Sequence, residues 1–126
     1  MSKIEGTTIK LNRGDVLSLT LSVSYTDGTS YSFTANDTVV FSVYNKNQMS
    51  GNAVFMKTIN VTTPGQTLPV NLTSNDTKFG NLIDKPVEYW YEFELNNQYT
   101  VLGYDDSGPK KLILYPEGSK ITWTQN

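Results

Sequence analysis

From Val87 to Asn96 the chain reads "VEYWYEFELN", and it separates at a period of two: Val87, Tyr89, Tyr91, Phe93 and Leu95 against Glu88, Trp90, Glu92, Glu94 and Asn96. Successive side chains of a strand point to opposite faces, whereas a helix would scatter both sets around its surface. The segment predicts a long strand with one buried face. The same period returns in "LSLTLSVSY", where Leu17, Leu19, Leu21, Val23 and Tyr25 alternate with Ser and Thr. It returns again in "NDTVVFSVYNK", where Val39, Phe41 and Val43 share a face. "AVFMKTINV" sets Phe55 and Ile59, near Val61, on one side and Met56 on the other.

Turn chemistry punctuates these runs. Asp27-Gly28 follows the first alternating segment and predicts a tight hairpin, with a returning strand that carries Tyr31 and Phe33. Pro64-Gly65 marks another turn. In "QTLPVNL", Pro69 has no amide to give a sheet ladder, which predicts an edge or irregular strand. "TSNDTKFGNLIDKP" has no sustained period and room for one helical turn at most, and "NQYTVLGY", "KKLILYP" and "KITWT" complete the series. About nine short strands and no helical segment predict an all-β, immunoglobulin-like antiparallel β-sandwich of eight or nine strands. A chain of 126 residues, 37% hydrophobic, suits one such domain spanning residues 1–126.

The residue types that are missing limit the chemistry. There is no cysteine and no histidine, so thiolate nucleophiles, disulfides, zinc–thiolate sites and the usual base of a serine nucleophile are out of reach. The expectation is a protein that is not an enzyme and takes no metal or other cofactor. A net charge of −2 with Arg13 as the only arginine offers no footprint for nucleic acid. No apolar run is long enough to cross a bilayer and "MSKIEGTTIKLNRGD" lacks the apolar core of a signal peptide, which predicts a chain made in a cytoplasm without a membrane partner.

Three features invite a functional reading. Arg13-Gly14-Asp15 matches a tripeptide read by adhesion receptors, but Asp15 runs directly into an alternating strand and Gly14 suits a bend, so the expectation is a structural turn. Glu92 and Glu94 lie two apart on one strand face, at the spacing of a glycosidase acid and base, but nothing in the local sequence separates their acidities, and a solvated polar stripe is the plainer reading. Trp90 between Glu88 and Glu92 is less ordinary. An aromatic on the polar side of a strand is covered by its own chain, buried in an interface or stacked on a sugar. Trp123 either pins a last strand to the core or lies in an oligomer contact. Asp105-Asp106 lacks the oxygen count of a calcium loop and reads as an ordinary turn. Glu88, Trp90, Glu92, Glu94 and Trp123 are therefore the candidate interface residues.

The order of the elements "RGD", "VVFSVYNK", "VFMKTINV", "DKPVEYWYEFEL" and "GYDDSGPKKLILYPEG" resembles small tail or baseplate proteins of phages and prophages of Gram-positive bacteria. It is similar to the N-terminal domain of the upper baseplate protein family over roughly residues 9 to 119. The resemblance implies a β-sandwich that assembles in the virion tail without catalysis, its partners being other tail or baseplate proteins or further copies of itself. In the family a longer C-terminal part commonly follows this module. A carbohydrate-binding or adhesion module using exposed aromatics is the alternative expectation.

Overall fold

The computed structural model describes residues 3–117, and nine strands form among them. They are β1 (Lys3–Glu5), β2 (Thr8–Asn12), β3 (Leu17–Leu21), β4 (Thr38–Asn45), β5 (Phe55–Asn60), β6 (Leu68–Leu72), β7 (Val87–Leu95), β8 (Tyr99–Leu102) and β9 (Lys110–Tyr115). In the larger sheet β1, β2, β9, β7, β4 and β5 lie side by side, with β8 also paired to β7; β3 and β6 form a second sheet of two. The chain is thus an all-β sandwich, with an arrangement consistent with an immunoglobulin-like architecture.

The core lies between the sheets. Val39, Phe41 and Val43 of β4 and Tyr89, Tyr91, Phe93 and Leu95 of β7 turn inward as their alternation requires, against Leu17, Val70 and Leu72 of the smaller sheet. The Phe41 ring stands 4.8 Å from Phe93 and 5.7 Å from Tyr91, centroid to centroid. Burying one such aromatic contributes roughly 2–3 kcal/mol, with a further increment from the ring pairs. β4 is also covered on its outer side, where Val40 and Ser42 are buried. Its unbroken "VVFSV" run reflects a strand enclosed on both faces.

Several details depart from the sequence expectation. The Asp27-Gly28 turn forms, with Gly28 at φ 91° and the Asp27 carboxylate accepting from the Thr29 amide at 2.9 Å. The return segment, however, makes only isolated bridges, Ser24 to Ser30 and Phe33 to Gly65, and Phe33 is buried in the core. β3 pairs instead with β6, Thr20 opposite Pro69. β1 and β2, for which the sequence predicts no strands, form a hairpin at Gly6. β2 runs parallel to β9, Ile9 opposite Leu112, the single parallel pair among the described strands. The expected last strand "KITWT", with Trp123, lies outside the described residues.

Candidate functional site

β7 is central in the larger sheet, and its second stripe forms a row on the face turned away from the core. The register places Tyr44 of β4 and Lys111 of β9 on either side of Trp90, and Ser42 beside Glu92. Glu88, Trp90, Glu92 and Glu94 are all half-buried rather than free in solvent. The cover comes from the chain between β8 and β9, residues 103–109. These strands share one flank of β7, and the segment joining them bulges out over the row. Gly103 packs so closely that a Cβ there would stand 3.2 Å from the Glu92 Cβ and 2.8 Å from Thr100 Cγ2, which is why a glycine serves. Tyr104 then lies on Trp90, ring centroids 5.7 Å apart and planes at 60°. The Trp90 indole donates to Glu88 Oε2 at 2.8 Å, which fixes the ring.

Trp90 is half-buried, and its own chain supplies the cover that the structure shows. One side is covered by its own chain, while Tyr104, 60% exposed, carries the aromatic surface outward. An aromatic pair, Trp90 of the middle strand and Tyr104 of the segment over it, therefore stands beside the carboxylates of β7. The bulge is held by the Asp105 carboxylate, which accepts from the Ser107 amide and from the Lys110 ammonium, both at 2.8 Å. Among the described residues no three His, Cys, Asp or Glu side chains converge as a metal site would require.

Tertiary structure acts on the Glu92 carboxylate in a way invisible in "EFE". Burial raises the Glu92 carboxyl above its ordinary range and the neighbouring Glu94 charge adds to this, while the Tyr44 hydroxyl, donating to Glu92 Oε1 at 3.2 Å, opposes it. Ser42 lies beside them, fully buried and within reach of Tyr44, without a partner in good hydrogen-bond geometry. A carboxyl with a raised folded pKa stabilises the fold at pH below its unfolded value and loses that contribution as pH rises through the folded value. Glu92→Gln keeps an acceptor for Tyr44 and removes the charge. It should stabilise the protein at pH 8 by up to about 1 kcal/mol, a small effect because solvent screens this half-covered position, and the gain should vanish at pH 4. Urea unfolding at the two pH values measures this; a gain as large at pH 4 as at pH 8 would show that charge is not its origin.

The Arg-Gly-Asp motif lies elsewhere and is not displayed. The Arg13 side chain is 12% exposed and its guanidinium reaches three main-chain carbonyls: Lys78 at 2.8 Å, Gly80 at 3.2 Å and Phe79 at 3.4 Å. It also pairs with Glu117 at 3.2 Å. Gly14 takes φ 89°, a conformation that costs other residues, and its carbonyl accepts from Ser74 Oγ at 2.6 Å; the Asp15 carbonyl accepts from Thr77 Oγ1 at 2.6 Å. The tripeptide is the turn into β3, and it also clamps the 73–80 loop. That loop makes the single helical turn the sequence allowed, Thr77 N to Thr73 O at 3.3 Å, closed by a reciprocal Thr73–Asp76 cap.

Fold and site together define a small β-sandwich with an aromatic and acidic patch on the outer face of its larger sheet. No family model, curated protein or solved structure matches the chain.

Proposed function

We propose that the protein is a non-enzymatic structural component of a phage or prophage tail or baseplate, made in the host cytoplasm and acting in the virion through protein–protein contacts centred on Trp90. The observation that carries this reading is the Trp90–Tyr104 pair, held by Glu88 and by the Asp105 bulge on a central strand. Aromatic side chains dominate interface energetics, with carboxylates around them to select a partner. The order of sequence elements resembling baseplate proteins supplies the kind of partner. A chain without histidine or cysteine fits an assembly role better than catalysis.

Light scattering at high concentration and pull-down with neighbouring virion proteins test the proposal. Wild type should self-associate or bind such a protein, and Trp90→Ala should weaken the association by roughly 30-fold or more, the effect of an interface hot spot. A chain that stays monomeric, binds no virion protein and is unaffected by Trp90→Ala would sink it.

A second reading draws on the same patch. Trp90 and Tyr104 beside the Tyr44–Glu92 hydroxyl and carboxylate offer a stacking surface with hydrogen-bonding groups next to it, which suits a sugar. Quenching of tryptophan emission by cell-wall polysaccharide, absent in Trp90→Phe, would favour a carbohydrate-binding module over an assembly surface.

A further inference from the structure

Three carboxylates among the described residues are answered by a cation: Glu117 by Arg13, Asp76 by Lys57 and Asp105 by Lys110. The three on the outer stripe of β7 are not. Glu88, Glu92 and Glu94 turn to one face at the ~7 Å repeat of alternate strand residues. Each is half-buried, and none makes an ion pair with a described residue. Glu88 accepts from the Trp90 indole and Glu92 from the Tyr44 hydroxyl, and both of these donors are neutral. Lys111 of β9 stands opposite Trp90 but is exposed and pairs with neither flanking carboxylate.

Like charges so placed, with water partly removed, oppose one another, and the raised Glu92 carboxyl records it. Ser42 adds an independent sign that the site is short of partners. It lies opposite Glu92 in register, and so turns to the same face; it is 0% exposed, and its hydroxyl has no hydrogen-bond partner.

We propose that this face receives the guanidinium of an arginine from a different protein, laid against the Trp90–Tyr104 pair and bonded to the β7 carboxylates. The inference rests on the assembly reading above and names the chemistry of the partner. Aromatic faces attract cations, tryptophan most strongly, and a planar guanidinium stacks on a ring where an ammonium is only a point of charge. Glu88 and Glu92, two residues to either side of Trp90, put acceptors at both ends of a group lying on the indole, with Glu94 next in the row. The five N–H donors of one guanidinium can serve two carboxylates at once. Trp90 is half-buried and Tyr104 is 60% exposed, which leaves ring surface for the contact.

A second copy of the chain cannot supply this group. Arg13 is the only arginine, its side chain is 12% exposed, and its N–H groups are engaged by the carbonyls of residues 78–80 and by Glu117. The charge complement of the patch therefore points to a different protein.

N-acetyl-arginine amide is the probe, and N-acetyl-citrulline amide, of the same shape without the charge, is its control. The Trp90 indole N–H gives its own signal in proton–nitrogen correlation spectra, assigned by its loss in Trp90→Phe. The arginine amide should shift that signal saturably, with a dissociation constant on the order of millimolar, and less as salt is raised. The citrulline amide should leave it in place. Glu92→Gln combined with Glu94→Gln keeps shape and acceptors, and should weaken arginine binding by about tenfold or more while the rest of the spectrum stays that of the folded chain. No saturable shift, equal binding of the citrulline amide, or undiminished binding by the double variant would each overturn the proposal. Trp90-dependent association with a virion protein but no arginine binding would strike the guanidinium and leave the assembly reading standing. Arginine binding by a chain that associates with no protein would uphold the chemistry of the site and remove the assembly reading.

Discussion

Arg13→Ala should lower the stability of the protein by about 3–4 kcal/mol, a drop of roughly 15 °C in midpoint for a domain of this size. One guanidinium satisfies three successive carbonyls of the 78–80 segment and one carboxylate. A hydrogen bond from a charged donor is worth about 1.5–3 kcal/mol net, and removing a single donor leaves several acceptors short of partners at once. The loss extends into the core, because the segment carries Phe79, whose ring stands 5.7 Å from Phe55 and 5.1 Å from Tyr89. Arg13→Lys should recover less than half of the loss, since an ammonium presents a compact point of charge where the planar fork spans three carbonyls. Urea unfolding of the three proteins gives the comparison. A loss below about 1 kcal/mol for Arg13→Ala would mean that the clamp does not hold the loop, and would reopen the question of why the arginine is there.

Asp37→Ala comes next, at about 3 kcal/mol. Asp37 is 7% exposed; its Oδ2 accepts from the Tyr31 hydroxyl at 2.6 Å and the Thr34 amide at 2.9 Å, and its Oδ1 from the Asn96 side chain at 3.0 Å. Asn96 in turn accepts from the Thr38 amide at 2.8 Å and, with Asn97, holds the left-handed conformation (φ 54° and 55°) of the β7–β8 turn. Removing the carboxylate strands three donors, each costing on the order of 1 kcal/mol. Desolvation works against the charged form of Asp37, but bonds from Asn96, Tyr31 and Thr34 outweigh it and leave the pKa below the ordinary value. This contribution is complete above the usual aspartate range and disappears as pH falls through the lowered folded value. The Tyr31 phenol, pushed up to about 12 mainly by its bond to Asp37, behaves in the opposite sense: its share is complete below about pH 10 and is lost between there and about 12. Asp37→Ala should therefore flatten the stability profile at both the acid and the alkaline end. An unchanged profile in urea titrations from pH 2 to 12 would remove the network from the account.

The elements differ in how plainly their sequence declares them. β4 and β7 were legible because their inward stripes are long, large and unbroken, and no other structure satisfies a period of two over such a length. β1 and β2 were missed, although Ile9 and Leu11 alternate with Lys10 and Asn12 behind Gly6. That signal is short, and its partner, β9, is about a hundred residues away. The segment carrying Tyr31 and Phe33 has the look of a hairpin return, but beyond its bridge at Ser30 it meets Gly65, with Phe33 buried in the core. In the candidate site the residues on the outer stripe were legible as a row. That the row is half-covered was not, because the cover arises from a bulge between β8 and β9 whose residues read as an ordinary polar turn.

By itself, then, the sequence determined the class of structure, the inward faces of the long strands, the turn at Asp27-Gly28 and the absence of histidine and cysteine chemistry. Those properties depend on the period of side-chain direction, on local backbone freedom and on composition, and each can be read within a few residues. Only tertiary structure decided that β2 runs parallel to β9, that Arg13 clamps a loop some 65 residues away, that Tyr104 lies on Trp90, and that burial raises the Glu92 carboxyl. Such features depend on which distant segments meet and on how much water their meeting excludes, and a linear pattern of residues specifies neither.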